Sequence, residues 1–94
     1  MRVIKSPRFE EEIEVITDFI SENSPRRALR FYDELLNKLE SIPSNPYRFR
    51  KRPKINDKNI RELIFKGYTI PFYIDTAHEV IVILGIFSAN EWEL

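Results

Sequence analysis

Apolar residues recur at helical spacing in two stretches in the first half of the chain. Phe9, Ile13, Ile16 and Ile20 form the first stripe, and a similar stripe follows Ser24-Pro25. Ser6-Pro7 and Ser24-Pro25 each combine a capping serine with a proline suited to the first helical position. We therefore predict a helix ending near Glu22 and a second one ending before Pro43. Two helices joined by about two residues are expected to form an antiparallel hairpin.

The last third of the chain has the period-two pattern of strands. We predict one strand around 62–65, a turn at Lys66-Gly67, and a second strand over 68–74. Pro71 cannot donate a ladder hydrogen bond, so it should mark an edge, a bulge or a break. The run Val80–Phe87 is apolar on both faces, which predicts one central strand covered on each side.

Arg2–Lys5 is a further short strand candidate, which gives the element order β-α-α-β-β-β. This order indicates an α+β fold: an N-terminal β-strand, then an antiparallel helical hairpin packed on a small, twisted, mostly antiparallel sheet. The 94 residues fit a single domain. Residues 43–59 hold three prolines and are predicted to be a loop, with room for one helical turn near Pro46-Tyr47. A loop of this length usually signals function or disorder.

The charge of the chain is unevenly distributed, although the formal net charge is zero. Residues 43–61 hold seven basic residues against Asp57 alone, a local charge of +6. Tyr47 and Phe49 lie among the arginines, and aromatics of this kind can stack on unpaired bases. Three interpretations remain open for this basic loop: contact with nucleic acid, contact with an acidic protein segment, or a solvated loop. Arg61 is expected either to bind a phosphate or to form a salt bridge with Glu62 or a helix carboxylate.

Composition argues against several other classes of function. The chain has no cysteine and one histidine, His78, which leaves no basis for a disulfide, a Cys-His pair, a metal site or a cofactor. There is no Gly-rich phosphate loop, no signal-peptide pattern and no apolar run long enough to span a bilayer. We therefore expect a cytoplasmic protein without a membrane partner. Trp92 is the only tryptophan and is expected either to cap the core or to anchor a partner.

The order of these segments resembles the RelE/ParE superfamily of bacterial type II toxins. The resemblance covers nearly the whole chain and rests on Arg61-Glu-Leu, on Tyr68-x-Ile-Pro-Phe-Tyr and on the run Val80–Phe87. The segments Ser24-Pro25-x-x-Ala and Ile42-Pro43-x-x-Pro fit the ParE-like branch. The resemblance implies a growth-inhibiting toxin that a cognate antitoxin neutralises in a hetero-oligomer. Its RelE-like members cleave mRNA in the ribosomal A site, whereas ParE-like members poison DNA gyrase.

Two positions weigh against the RelE-like branch, although many ParE-like members have histidine where this chain has Ser88, so that this position departs from both patterns. RelE-like toxins carry an arginine where this chain has Thr69, and charged or proton-donating residues where it has Ser88. We therefore expect a ParE-like toxin with DNA gyrase as its target. The expected contact residues are Arg48, Arg50, Lys51, Arg52, Lys54, Arg61, Ser88, Asn90 and Trp92. The alternatives are a RelE-like mRNA interferase acting on the ribosome with Arg61, Lys66 and Tyr68, or a degenerate toxin that only binds its antitoxin.

Overall fold

The first half of the chain folds as one short strand followed by two helices. In the computed structural model, which describes residues 1–88, β1 spans Arg2–Lys5, α1 spans Pro7–Asn23 and α2 spans Pro25–Glu40. The hydroxyl oxygen of Ser6 accepts the Phe9 N–H at 3.1 Å, and that of Ser24 accepts the Arg27 N–H at 3.2 Å. Both predicted caps are thus confirmed, and they fix where the helices begin.

The predicted loop 43–59 contains more structure than its prolines indicated. Two 3₁₀ turns, Ile42–Ser44 and Pro46–Arg48, lead into a two-residue strand β2, Arg50–Lys51. β2 pairs antiparallel with β3, and Arg50 lies opposite Glu62. The strand forms because it pairs with β3, which is distant in the sequence. No local pattern of hydrophobic residues therefore predicted it.

Within residues 1–88, six strands form one mixed sheet. The remaining strands are β3 (Ile60–Phe65), β4 (Tyr68–Asp75), β5 (Val80–Ile83) and β6 (Phe87–Ser88). The order is β1-β5-β4-β3-β2, with β6 pairing to β4 as well. Only β1 and β5 run parallel, so the expected α+β layout with a mostly antiparallel sheet is confirmed.

The prediction of one continuous strand over Val80–Phe87 is wrong. The segment leaves the ladder after Ile83 and rejoins it at Phe87. Two side chains from the start of α1 hold this break: the Ser6 hydroxyl donates to the Leu84 carbonyl at 3.1 Å, and Glu12 Oε1 accepts the Ile86 N–H at 3.0 Å. Pro71 lies on β4 between the stretches that pair with β5 and β6, the break expected of a residue without an N–H.

The core lies between the helical hairpin and one face of the sheet. Its fully buried side chains come from both layers: Phe9, Leu35, Leu39, Ile42, Ile70, Phe72, Ile74, Ile81 and Ile83. The opposite face of β3 and β4 carries Glu62, Ile64, Thr69, Pro71 and Tyr73, as the alternation along each strand requires. β2 extends the sheet beyond β3, and Arg50 and Arg52 reach Glu62 on this outer face.

Candidate functional site

A buried carboxylate lies beneath two arginines on the outer face of the sheet. The Glu62 side chain is 2% exposed; its Oε1 accepts from Arg50 Nε at 2.6 Å and its Oε2 from Arg52 Nη1 at 2.9 Å. The pairing of β2 with β3 brings Arg50 above Glu62, and the chain then turns so that Arg52 reaches the second oxygen. Charge-assisted hydrogen bonds of this length are among the stronger polar contacts in proteins. We call Arg50, Arg52 and Glu62 the glutamate clamp.

The glutamate clamp forms one wall of an open cleft of about 410 Å³. Pro53, Lys54, Thr69 and Phe87 complete the lining, and the Arg52 guanidinium lies 5.2 Å from the centre of the Phe87 ring. The cleft therefore contains three cations and one carboxylate, and both arginines are already bonded to that carboxylate. An incoming phosphate would have to compete with Glu62 for the same guanidinium groups.

Arg61 is bonded to the backbone of the loop. Its Nε donates to the Lys58 carbonyl at 2.8 Å, while Nη1 donates to the carbonyls of Tyr47 and Phe49 at 3.0 and 2.9 Å. Within residues 1–88 no carboxylate pairs with Arg61. Glu62 points to the opposite face of the strand and pairs with other arginines. The three carbonyls close the loop onto β3, so Arg61 is the loop's anchor.

The aromatic residues of the loop are engaged within the fold. Phe49 packs edge-on against Phe72 with ring centres 5.4 Å apart, and the Arg48 guanidinium lies 4.5 Å from the Phe49 ring centre. The Tyr47 hydroxyl donates to Asn59 Oδ1 at 2.7 Å, and the Arg61 guanidinium lies 5.1 Å from the Tyr47 ring centre. Each ring therefore already has an arginine over it, which a stacking base would have to displace or avoid.

Lys66 and Tyr68 lie at the far end of the β3–β4 hairpin. Both Lys66 and Gly67 have positive φ, 48° and 84°, and together they form the predicted two-residue turn. Arg61 is five residues away along β3, about 17 Å at the rise of a strand. The residues that a ribonuclease reading would combine, Arg61, Lys66 and Tyr68, therefore do not converge on one point.

Lys66 and Tyr68 both contact the second helix. Lys66 Nζ pairs with Glu34 of α2 at 2.5 Å, and this hydrogen bond lowers the pKa of Glu34 from its ordinary value. The Tyr68 ring packs edge-on against Phe31, with ring centres 5.7 Å apart. Both side chains therefore contribute to packing between the sheet and the hairpin.

The solvent-facing cations of the basic loop are mainly lysines. Lys51, Lys54 and Lys58 are exposed, and in the described part of the chain none of them forms an ion pair. We call these three residues the lysine rim. Of the other expected contacts, Ser88 lies in β6 opposite Tyr68, and Asn90 and Trp92 fall outside the described residues.

Sequence reasoning did not identify Glu62 as the centre of this site. Strand alternation places it on the outer face, where a glutamate ordinarily contacts water. The available signal was its charge, since it is one of few carboxylates beside a run of arginines. Thr69 was noted only as a missing arginine, yet it is buried against the cleft.

Two further classes of site were searched for in residues 1–88. No group of three or more His, Asp or Glu side chains there could hold a metal ion. None of the helices in that range is long and apolar enough to cross a membrane.

Comparison with known proteins identifies the family. A search of the curated proteins found no match. The fold is similar to a solved structure titled as the chromosomal ParDE TA system from P. aeruginosa, with a TM-score of 0.74, 18% identity, and coverage of 94% of this chain and 95% of that one. The family model described as the ParE toxin of the type II toxin-antitoxin system parDE matches residues 3–91. The chain therefore belongs to the ParE family of type II toxins.

Proposed function

We propose that this ParE-family toxin inhibits growth by binding a protein target, with DNA gyrase as the candidate, and that a cognate antitoxin neutralises it. The observation that carries the proposal is the glutamate clamp. A buried carboxylate occupies the two guanidinium groups of the cleft, and this arrangement supports a shaped docking surface better than a site for phosphodiester cleavage. The proposed action takes place in the cytoplasm, where gyrase and its DNA are found.

Chemical requirements weigh against cleavage of RNA at this cleft. Such a reaction needs cations that stabilise the charge developing on the phosphate, and groups that accept and donate protons. Here Arg50 and Arg52 are bonded to Glu62, and Arg61 is bonded to backbone carbonyls. Glu62 also adds a negative charge beside the place where the phosphate would lie.

The lysine rim supports contact with an acidic protein surface. Lysine is a hydrated point charge without the planar fork of arginine, so it can donate to carboxylates in many geometries. Complementary charges at an interface mainly raise the association rate and fix the orientation of the partners. The rim lies on a loop that Arg61 bonds to β3 through three backbone carbonyls, which limits the ordering cost of binding.

A second surface supports an antitoxin partner. The two helices border a groove of about 380 Å³ lined by Ala28, Leu29, Tyr32 and Thr17, and Leu29 is 67% exposed. An amphipathic helix placed along such a groove buries its apolar side there. The solved structure of similar fold is titled as a ParDE system, which agrees with a partner of this kind for the present chain.

Two assays on the purified toxin test the proposal. We expect inhibition of gyrase supercoiling with accumulation of cleaved DNA, and intact mRNA in a ribosome-dependent cleavage assay. Reversing two charges of the rim, Lys51→Glu with Lys54→Glu, should weaken gyrase inhibition at low salt. The control is the single reversal Arg2→Glu, compared with Lys51→Glu alone, because it reverses an exposed charge on β1 at the opposite edge of the sheet.

The possible results separate the alternatives. Ribosome-dependent mRNA cleavage that disappears with Arg61→Ala would overturn the proposal in favour of an interferase. If the toxin shows no activity in either assay but binds its cognate antitoxin tightly, it is a degenerate toxin that has lost its target. Equal weakening by the rim variant and by Arg2→Glu would refute the placement of the contact surface at the loop.

A further inference from the structure

A second cleft adjoins the cleft of the glutamate clamp. It has a volume of about 540 Å³ and shares Arg52 and Phe87 with the first cleft. Leu84 and Gly85 also line it, so it lies where the last apolar run leaves the ladder after β5. We call this cleft the break groove. It exists because the chain between β5 and β6 does not continue the sheet.

The lining of the break groove is mainly apolar. Ile60 of β3 and Pro71 of β4 lie on the outer face of the sheet, as the alternation with their neighbours requires. Leu84 comes from the break, and Ile55 comes from the basic loop and is 43% exposed. Apolar side chains that line a concave surface with a few charged groups are typical of a binding site.

The start of α1 gives the break groove its charge. Glu12 Oε1 accepts the Ile86 N–H at 3.0 Å, and Glu12 Oε2 lies 3.4 Å from Arg8 Nε. The Arg8 side chain is 76% exposed, and this long contact is the one polar contact that it makes within residues 1–88. A guanidinium group has five N–H donors, so most donors of Arg8 remain available to a ligand. Arg52 differs because its Nη1 is already bonded to Glu62.

The lysine rim does not by itself account for tight binding of a protein target. Exposed charge pairs contribute little to affinity and mainly raise the rate of association. Most of the binding energy at a protein interface comes from a few side chains that fill desolvated pockets. The break groove offers such a pocket directly beside the rim, since Ile55 follows Lys54 in the chain.

We propose that the break groove is the anchor pocket for the protein target, an inference that rests on the proposed function. Its ligand is an acidic segment that carries one large aliphatic side chain. That side chain packs among Ile55, Ile60 and Leu84, a neighbouring carboxylate pairs with Arg8, and further carboxylates meet the lysine rim. The aliphatic lining favours a protein segment over a polyphosphate, which has no apolar group to bury.

Peptides test the break groove without gyrase. The probe is the peptide Glu-Glu-Leu-Glu-Glu, blocked at both ends and added to ¹⁵N-labelled toxin, and the control peptide has serine in place of leucine. We expect both peptides to shift the NMR amide signals of the lysine rim, and only the leucine peptide to shift those of Ile55, Ile60 and Gly85. Equal shifts with the two peptides, or no shift at the groove, would overturn the apolar pocket.

Matched isoleucine variants test whether the target uses the pocket. We expect Ile55→Ser to weaken the affinity of the toxin for gyrase about tenfold, as truncation of an anchoring side chain usually does. The control Ile64→Ser removes an isoleucine that is 50% exposed on the outer face of β3 but does not line the groove. It should change the affinity by less than about twofold, and equal losses in the two variants would refute the pocket.

Matched arginine variants test the charged contact. Arg8→Gln should weaken the affinity about threefold to tenfold at low salt and have little effect at 1 M salt, where the screening length is about 3 Å. The control is Arg26→Gln, because Arg26 follows the first proline of α2 as Arg8 follows that of α1. Arg26 forms no ion pair within residues 1–88 and does not line the groove. Equal losses in the two variants would refute the role of Arg8.

The outcomes separate this inference from the proposed function. If wild-type toxin does not bind gyrase, the proposed target is wrong, and the peptide experiment decides whether the groove binds an acidic-aliphatic segment at all. If gyrase binds wild type and Ile55→Ser equally, the groove is not the anchor although the proposed function stands. If Ile55→Ser instead loses antitoxin binding, the groove belongs to the antitoxin. Far-UV circular dichroism checks that each variant is folded, and Ile55→Thr replaces Ile55→Ser if the latter is not.

Discussion

Removing the charge of Glu62 while keeping its shape tests the glutamate clamp most directly. In the variant Glu62→Gln, the amide oxygen can still accept from one guanidinium, but the amide NH₂ meets the donors of the other. Arg50 is 62% exposed at its side chain and can turn into water. Arg52 is only 20% exposed and lies against Phe87, so it remains partly buried without its counter-ion.

The size of the effect follows from these exposures. Breaking a fully buried ion pair costs about 3–5 kcal/mol, and an exposed pair contributes about 0.2–1 kcal/mol. The clamp combines one partner of each kind, so we expect Glu62→Gln to lower the free energy of unfolding by about 1–3 kcal/mol. A domain of this size gains or loses about 4–8 °C in melting temperature per kcal/mol, so the midpoint should fall clearly.

Urea denaturation measures this change in the free energy of unfolding. The slope of that free energy against urea concentration should be the same in the variant and the wild type. The control is Glu14→Gln, an exposed carboxylate on α1 that forms no ion pair within residues 1–88. A loss below about 0.5 kcal/mol, similar to that of an ordinary surface substitution, would refute the view that the glutamate clamp stabilises the fold. The same variant should bind heparin more tightly than wild type, since it removes the negative charge that competes with an anion for the two arginines.

Three further predictions concern other contacts. Arg61→Lys can replace only part of the fork that holds three carbonyls, so we expect a loss of about 1–3 kcal/mol and faster proteolysis within the loop; unchanged proteolysis would refute the anchor. Gly85→Ala would bring a Cβ to 2.6 Å from Glu12 Oε1 and should cost about 1–2 kcal/mol by urea denaturation, but almost nothing in a Glu12→Ala background; additive losses would contradict this. The lowered pKa of Glu34 means that its pair with Lys66 stabilises the fold at neutral pH, and that this stabilisation is lost as the pH falls through the pKa. In the variant Lys66→Met, the pKa of Glu34 measured by NMR should return to its ordinary range. An unchanged pKa would exclude the pairing.

Local chemistry made the helices and the hairpin predictable from the sequence. Ser6-Pro7 and Ser24-Pro25 act within one helical turn, so the residues that cap each helix are neighbours in the chain. The turn at Lys66-Gly67 is equally local, because it depends only on two residues that accept positive φ.

The features that the sequence did not reveal depend on distant partners. The break in the last apolar run is held by Ser6 and Glu12, more than seventy residues upstream. The run itself, read alone, has no residue that forbids a continuous strand. Strand β2 likewise exists through its pairing with β3. In each case the deciding contact is a tertiary one, which a periodicity argument does not contain.

The basic loop shows how a charge count changes meaning once the partners are known. Seven cations lie between residues 43 and 61, and the sequence alone treats them as equivalent. In the fold, Arg50 and Arg52 hold Glu62, and Arg61 holds three carbonyls. These three arginines, which could grip a phosphate with two hydrogen bonds, thus already have partners within the toxin, whereas the exposed lysines of the loop form no ion pair within residues 1–88. This arrangement supports the proposed contact with an acidic protein better than recognition of a phosphodiester, and we expect the contribution of the lysine rim to binding to fall steeply as salt is added.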